Sequence, residues 1–96
     1  MWYLYILFCD QTFFYIGITR DLFRRLIQHQ RGYEIYTKRY RSIELFYTES
    51  YKKRADAEKR EIQLKGWSKA KKKALITGDI EKLRYLSKSD TEYVEV

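Results

Sequence analysis

Residues 3–8 and 13–16 are aromatic or β-branched almost throughout, and a short polar break, Cys9-Asp10-Gln11-Thr12, separates them. Such residues suit a pleated, half-buried surface, so the pattern predicts a β-hairpin. The period then changes. DLFRRLIQHQRG, residues 21–32, is helical: Leu22, Phe23, Leu26 and Ile27 make its apolar stripe, Asp21 is placed to cap it, and Gly32 to stop it. Residues 33–42 read as a polar, aromatic loop. SIELFYTE, residues 42–49, alternates like a third strand, with Ile43, Leu45 and Tyr47 on one face and Phe46 on the other. Residues 52–65 form a second helix ending near Gly66, and Ser68 caps a third, SKAKKKALIT, closed by Gly78. Residues 79–87 are expected as a short last helix. Residues 1–86 are taken as one domain and 87–96 as a patternless, mobile tail. The order ββαβααα places the chain in the α/β (α+β) class: a small three-stranded antiparallel sheet flanked by helices.

Two features do not fit a plain core. The hairpin carries phenols at Tyr3, Tyr5 and Tyr15 and ends in Gly17. Tyr5 and Tyr15 share a face only if the turn has an odd length. A three-residue turn at Cys9-Asp10-Gln11 sets them directly opposite, and a four-residue turn separates them. The second anomaly is in the second helix. On a wheel of about 100° per residue, Asp56, Lys59, Arg60 and Gln63 form one polar side. The inward arc has Ala57 and Leu64 at one margin and Ala55 and Ile62 at the other. Between them lie Glu61, Lys65, Glu58 and Arg54. A Glu61–Lys65 pair on an exposed face is worth only a few tenths of a kcal/mol. A carboxylate turned toward a sheet is a different matter, because buried carboxylates are rare unless paired or bound to metal. Arg25 and His29, four apart on the first helix, border its apolar stripe and point to one place.

Composition narrows the class. The chain has 96 residues, enough for one domain, and no apolar run approaches a membrane span. The N-terminus lacks a basic region and a small-residue cleavage site and reads as a strand, so a cytoplasmic protein is expected. With one cysteine there is no internal disulfide, and with one histidine no Cys/His zinc site. Net charge is +7, from 20 Lys and Arg against 13 Asp and Glu. Arg20, Arg24, Arg25, Arg31, Lys38, Arg39 and Arg41 crowd one segment, with Tyr33, Tyr36 and Tyr40 among them. Cations for phosphates and flat rings for bases suit nucleic acid better than a membrane surface, since the charges do not line one amphipathic helix.

These residues resemble the GIY-YIG nuclease superfamily, in particular its short, stand-alone bacterial members. The first element corresponds to Tyr3-Leu4-Tyr5, with tyrosine in place of the leading glycine, and the second is intact as Tyr15-Ile16-Gly17. Arg-x-x-x-His follows as Arg25 and His29 in "RRLIQH", and the glutamate as Glu61 in "EKREIQLK". The likeness runs over residues 2 to about 76 and includes "IELFYTE" and "WSKAKKKALI". The family often has an Asn after the glutamate helix, and this chain contains none.

The resemblance implies a metal-dependent endonuclease acting on phosphodiester bonds, on DNA more than RNA, with little sequence specificity and links to repair. It assigns Tyr5, Tyr15, Arg25, His29 and Glu61 as catalytic and expects them to converge on one shallow surface. Glu61 would hold one Mg²⁺ or Mn²⁺, Arg25 would sit on the scissile phosphate, and Tyr5 would activate or orient water with Tyr15 beside it. His29 would hydrogen-bond Tyr5 or take part in proton transfer. Gly17 would let the strand end turn into the helix. Lys38, Arg39, Arg41 and Lys65 would contact other phosphates. Two other classes compete: a nucleic-acid-binding module that keeps the fold without catalysis, and a small interaction domain of a repair complex. Oligomeric state is not legible.

Overall fold

The structure, a computed structural model, describes residues 1–32 and 37–95, with side chains as far as Ser87. Tyr33 and Tyr36 of the basic segment lie outside the described residues. The elements are β1 (Trp2–Cys9), β2 (Phe13–Thr19), α1 (Leu22–Gln30), β3 (Ile43–Tyr51), α2 (Arg54–Lys65), α3 (Lys69–Thr77) and α4 (Ile80–Glu95). The chain divides into two compact units, Met1–Lys65 and Gly66–Val96.

In the first unit the sheet order is β2-β1-β3, with both pairings antiparallel. The hairpin turn is Asp10-Gln11-Thr12, one residue later than the three-residue turn that would pair the two tyrosines. Asp10 and Gln11 take left-handed conformations (φ 50° and 60°), and the Thr12 amide returns to the Cys9 carbonyl at 3.1 Å. Asp10 tolerates that conformation because its side chain is occupied: Oδ1 accepts from the Arg41 and Ser42 amides at 2.9 and 2.7 Å. An odd-length turn keeps Tyr5 and Tyr15 on one face. The register sets Tyr5 opposite Gly17 and Tyr15 opposite Leu7, so the phenols are diagonal neighbours with ring centroids 6.3 Å apart.

Gly17 therefore has a role other than the expected bend. It lies inside β2 without a left-handed φ, and a Cβ there would fall 2.4 Å from the Tyr5 hydroxyl oxygen and 2.6 Å from Cζ. The Tyr5 ring lies across the space a side chain would fill.

The two faces of β1 have different covers. Tyr5, Leu7, Cys9 and Ile43 form a buried cluster to which Leu22 and Leu26 of α1 add. Leu4, Ile6 and Ile16 are buried on the other face. Glu49 pairs with Leu4 across the β1–β3 ladder, so its side chain shares that second face, and it binds Arg60 of α2. Trp2, on the same face, has the Arg54 guanidinium 5.0 Å from its ring centre. α1 and α2 thus lie on opposite faces of the sheet.

A β-bulge alters the expected alternation of β3. Leu45 pairs with Leu7 but Tyr47 with Ile6, so Phe46 is the extra residue and Tyr47 moves to the α2 face. There its hydroxyl donates to Glu49 Oε2 at 2.6 Å, that of Tyr51 donates to Oε1 at 2.6 Å, and the Arg60 guanidinium grips both oxygens. This pairing also corrects the α2 wheel. Arg60 is drawn inward, Ala57 and Leu64 are the buried residues, and Ile62 is 72% exposed. The sequence placed Arg60 on the polar side because it offered no sign of a carboxylate waiting on the sheet.

In the second unit Ser68 caps α3 by accepting from the Lys71 amide at 3.2 Å, and Gly78 closes it in the left-handed region (φ 72°). The Lys71 ammonium rests over the Trp67 ring at 4.2 Å. α4 runs on to Glu95, beyond the helix expected at 79–87, and residues 88–95 contain no Gly or Pro to stop it.

Two predictions follow from this packing. Gly17→Ala should cost about 1–3 kcal/mol by overpacking against the Tyr5 ring; chemical denaturation checks this, and an unchanged midpoint would mean the ring has room to move. The second concerns acid. Burial alone would raise the Glu49 carboxyl, but Arg60, Tyr47 and Tyr51 outweigh it and hold it below the ordinary value of 4.5. The same carboxylate, after burial, helps push the Tyr47 phenol up to about 12. A carboxyl depressed by folding stabilises above its unfolded value, and that stability is lost as pH falls through the lower folded value. Stability should therefore drop as pH falls below about 4.5. Glu49→Gln should be less stable at neutral pH and lose that part of the slope, read by urea denaturation across a pH series.

Candidate active site

Three polar side chains sit buried in the α1 face: Tyr5 is 2% exposed, and His29 and Thr37 are 0% exposed. They form a chain. The Tyr5 hydroxyl lies 3.0 Å from His29 Nε2, and His29 Nδ1 lies 2.7 Å from the Thr37 hydroxyl. His29 reaches them from the last turn of α1, a helix capped by Asp21 through the Arg24 amide at 3.0 Å. Thr37 is set by a turn in which the Tyr40 amide donates to its carbonyl at 3.0 Å. Tyr15 is half-buried and meets the His29 ring edge-on, with centroids 5.0 Å apart. The two phenols and the imidazole therefore form one aromatic group on the sheet.

Arg25 projects from α1 one turn before His29. With Thr19, Arg20, Asp21, Arg24 and Gln28 it lines a cavity of about 260 Å³. Three guanidinium groups around one opening suit an oxyanion, since a guanidinium presents a fork of donors matched to two phosphate oxygens. The Asp21 carboxylate is engaged in capping the helix.

The basic loop is tied to the hairpin by Asp10, which accepts the Arg41 and Ser42 amides. Lys38, Arg39 and Arg41 are exposed. The Arg39 guanidinium lies 5.2 Å from the centre of the Tyr40 ring, and Tyr40 stacks on Phe13 at 5.7 Å with 10° between the planes.

Glu61 stands apart. It is half-buried on α2, beside Ala57 and Leu64, and its partner among the described residues is Lys65 at 3.4 Å. α2 packs on the opposite face from α1. The structure brings Tyr5, Tyr15 and His29 into contact, with Arg25 on the same helix face as His29, and Glu61 is carried by the helix on the other face. β2 is an edge strand, so the two faces meet around its free edge. Arg60 and Glu61 leave α2 on either side of the buried Ala57–Leu64 line, and Arg60 is the one held to β3. Among the described residues no group of three or more His, Cys, Asp or Glu side chains is placed to cage a metal ion.

Thr37 is the polar member that the sequence motifs do not include. It sits in an aperiodic loop, eight residues beyond His29. The available signal was indirect: a lone histidine beside an apolar stripe needs a partner for each ring nitrogen.

Comparison with known proteins covers the same region. A UPF0213 protein of Staphylococcus saprophyticus is 37% identical over 76 residues, spanning 78% of this chain and 93% of that one. One from Bacillus pumilus is 37% identical over 71 residues, 73% of this chain and 72% of its own. The solution NMR structure of the UPF0213 protein BH0048 from Bacillus halodurans superposes with a TM-score of 0.53 at 32% identity, covering 80% of this chain and 84% of that one. The family model of the GIY-YIG catalytic domain matches residues 1–74, and with the two tyrosines, the Arg25–His29 pair and Glu61 in place the chain belongs to the GIY-YIG family.

Proposed function

We propose that this chain is a Mg²⁺- or Mn²⁺-dependent endonuclease that hydrolyses phosphodiester bonds in DNA with little sequence preference. The observation that carries the reading is the buried Tyr5–His29 contact at 3.0 Å, with Arg25, one helical turn before His29, lining an arginine-rich opening. A phenol and an imidazole sealed in a core are costly unless they are paired. Here they are paired with each other, and the helix that supplies His29 also supplies Arg25 to the cationic opening.

Each residue then has a task. Arg25 binds the non-bridging oxygens of the scissile phosphate and compensates the charge that grows on them. Tyr5 orients the attacking water, with His29 holding its hydroxyl in place, and Tyr15 positions that water from the adjacent ring. Lys38, Arg39 and Arg41 hold flanking phosphates, and Lys65 does so once its ammonium leaves Glu61. One half-buried carboxylate, with no metal-ligating cluster around it among the described residues, fits a hard ion that would keep most of its waters, and does not fit a closed, fully protein-ligated site. Glu61 would hold that ion, which when bound supplies charge neutralisation and a more acidic water. Since Glu61 comes from the second face, the active site on this reading is built around the free edge of β2.

One observation favours a second reading. The helices that carry Arg25 and Glu61 pack on opposite faces of the sheet, and a module that binds nucleic acid without cutting it needs no alignment of the two.

A cleavage panel of labelled single-stranded, duplex and branched DNA, with Mg²⁺, Mn²⁺ or EDTA, separates the two. Wild type should cut with either ion and not with EDTA. Glu61→Ala should abolish cutting, and Arg25→Ala should slow it by at least about 10²-fold. Tyr5→Phe should slow it while costing about 1 kcal/mol of stability, the scale of one lost hydrogen bond. Binding without cleavage on every substrate would establish the second reading, and a Glu61→Ala variant that cuts at the wild-type rate would remove the assigned metal ligand. Binding itself should weaken steeply with salt. Lys38→Glu with Arg39→Glu should lower affinity and flatten the salt slope; affinity that is constant from low to high salt would remove the loop from the interface.

A further inference from the structure

The buried chain Tyr5–His29–Thr37 carries one step more. We propose that Thr37 is a positioning residue that fixes the tautomer of His29, placing the ring hydrogen on Nε2 and aiming it at the Tyr5 oxygen. The inference rests on the nuclease reading for its catalytic meaning, and on geometry alone for the tautomer.

A neutral imidazole carries its hydrogen on one nitrogen and a lone pair on the other, and the hydrogen bonds at the two ends decide which. Thr37 settles one end. Its side chain is 0% exposed, and among the described residues its hydroxyl has a single hydrogen-bonding neighbour, His29 Nδ1 at 2.7 Å. A buried hydroxyl hydrogen with no acceptor is costly. The Thr37 O–H therefore points at Nδ1, which must supply the lone pair. The ring hydrogen is then on Nε2, 3.0 Å from the Tyr5 oxygen.

This direction matters for the chemistry. With Nε2–H as donor, the Tyr5 oxygen is an acceptor toward His29. A donor held on a phenol oxygen favours its anionic form. In the opposite tautomer His29 would accept the Tyr5 hydrogen, and the phenol would be held in its neutral form. Thr37 touches no reacting atom and acts through His29.

His29 is the one histidine of the chain, so its ring can be read without assignment by elimination. In the ¹⁵N-labelled full-length protein, long-range ¹H–¹⁵N correlation near neutral pH should show Nε2 bearing hydrogen and Nδ1 bearing the lone pair. In Thr37→Val, which keeps the shape and removes the hydroxyl, exchange between tautomers should draw the two nitrogen resonances together. Thr37→Ser should restore the wild-type pattern. In cleavage assays Thr37→Val should lower kcat by about 10-fold or more, the scale of losing a histidine's orienting partner, with KM unchanged. Hydrogen on Nδ1 in wild type, or a Thr37→Val spectrum identical to wild type, overturns the proposal. The wild-type spectrum decides this even if the valine variant does not fold. The nuclease reading fails separately: the Nε2–H tautomer in a protein that cuts no DNA supports the role of Thr37 and sinks the enzyme, whereas hydrogen on Nδ1 in an active enzyme does the reverse.

Discussion

The organisation of the first unit turns on the contact between the Tyr5 ring and Gly17. A tyrosine in the central strand of a three-stranded sheet would normally stand away from the sheet and carry its hydroxyl toward solvent or a covering helix. Gly17 leaves an unfilled space on the neighbouring strand, and the ring lies down into it. That brings the hydroxyl to His29 Nε2 and leaves room beside it for Tyr15. The hairpin register is what aligns the glycine with the ring, and the register is held by the left-handed Asp10–Gln11 pair and the bonds that Asp10 makes to the loop before β3. Turn chemistry at one end of the hairpin thus sets the position of a phenol several residues away.

On the other face the organising element is electrostatic. Glu49 receives two phenol hydrogens and the Nε and Nη2 hydrogens of the Arg60 guanidinium, which satisfies a partly buried carboxylate and fixes the rotation of α2. A partly buried ion pair adds little stability by itself, but its fixed hydrogen bonds specify geometry. Here it selects which residues of α2 meet the sheet. Ile62 is turned out to solvent and Glu61 is left on the flank away from Arg60. The bulge at Phe46 is part of the same arrangement, because without it Tyr47 would face α1 and Glu49 would lose a donor.

Much of this was legible in the residues. Strands, helices and their order follow from period and caps, and the α1 and α3 boundaries fall where Asp21, Gly32, Ser68 and Gly78 set them. The site was legible where local spacing carries it: Arg25 and His29 share a helix face, and Tyr5 and Tyr15 share a sheet face once the turn is odd. It was not legible where a long-range partner decides. The inward arc of α2 depends on Glu49, a residue of another element. The role of Gly17 depends on a one-residue shift of the turn. Thr37 lies in a loop without period, and only the imidazole's need for a second partner points to it.

The position of Glu61 is where these constraints meet. Hydrophobic patterning alone would put Ile62 inward and Glu61 near the middle of the buried arc, where a lone carboxylate is costly. The Glu49–Arg60 pair rotates the helix so that Glu61 is half-buried, pairs with Lys65, and stays close to solvent. A carboxylate in that setting has one lysine partner and an open side toward solvent, whereas a fully buried one would carry a large desolvation penalty. Arg25 comes from the helix on the other face. On the proposed nuclease reading, a reaction using both groups would take place at the β2 edge, where the two faces meet. On that reading the small size of the sheet matters, because a further strand beyond β2 would wall the two faces off from each other.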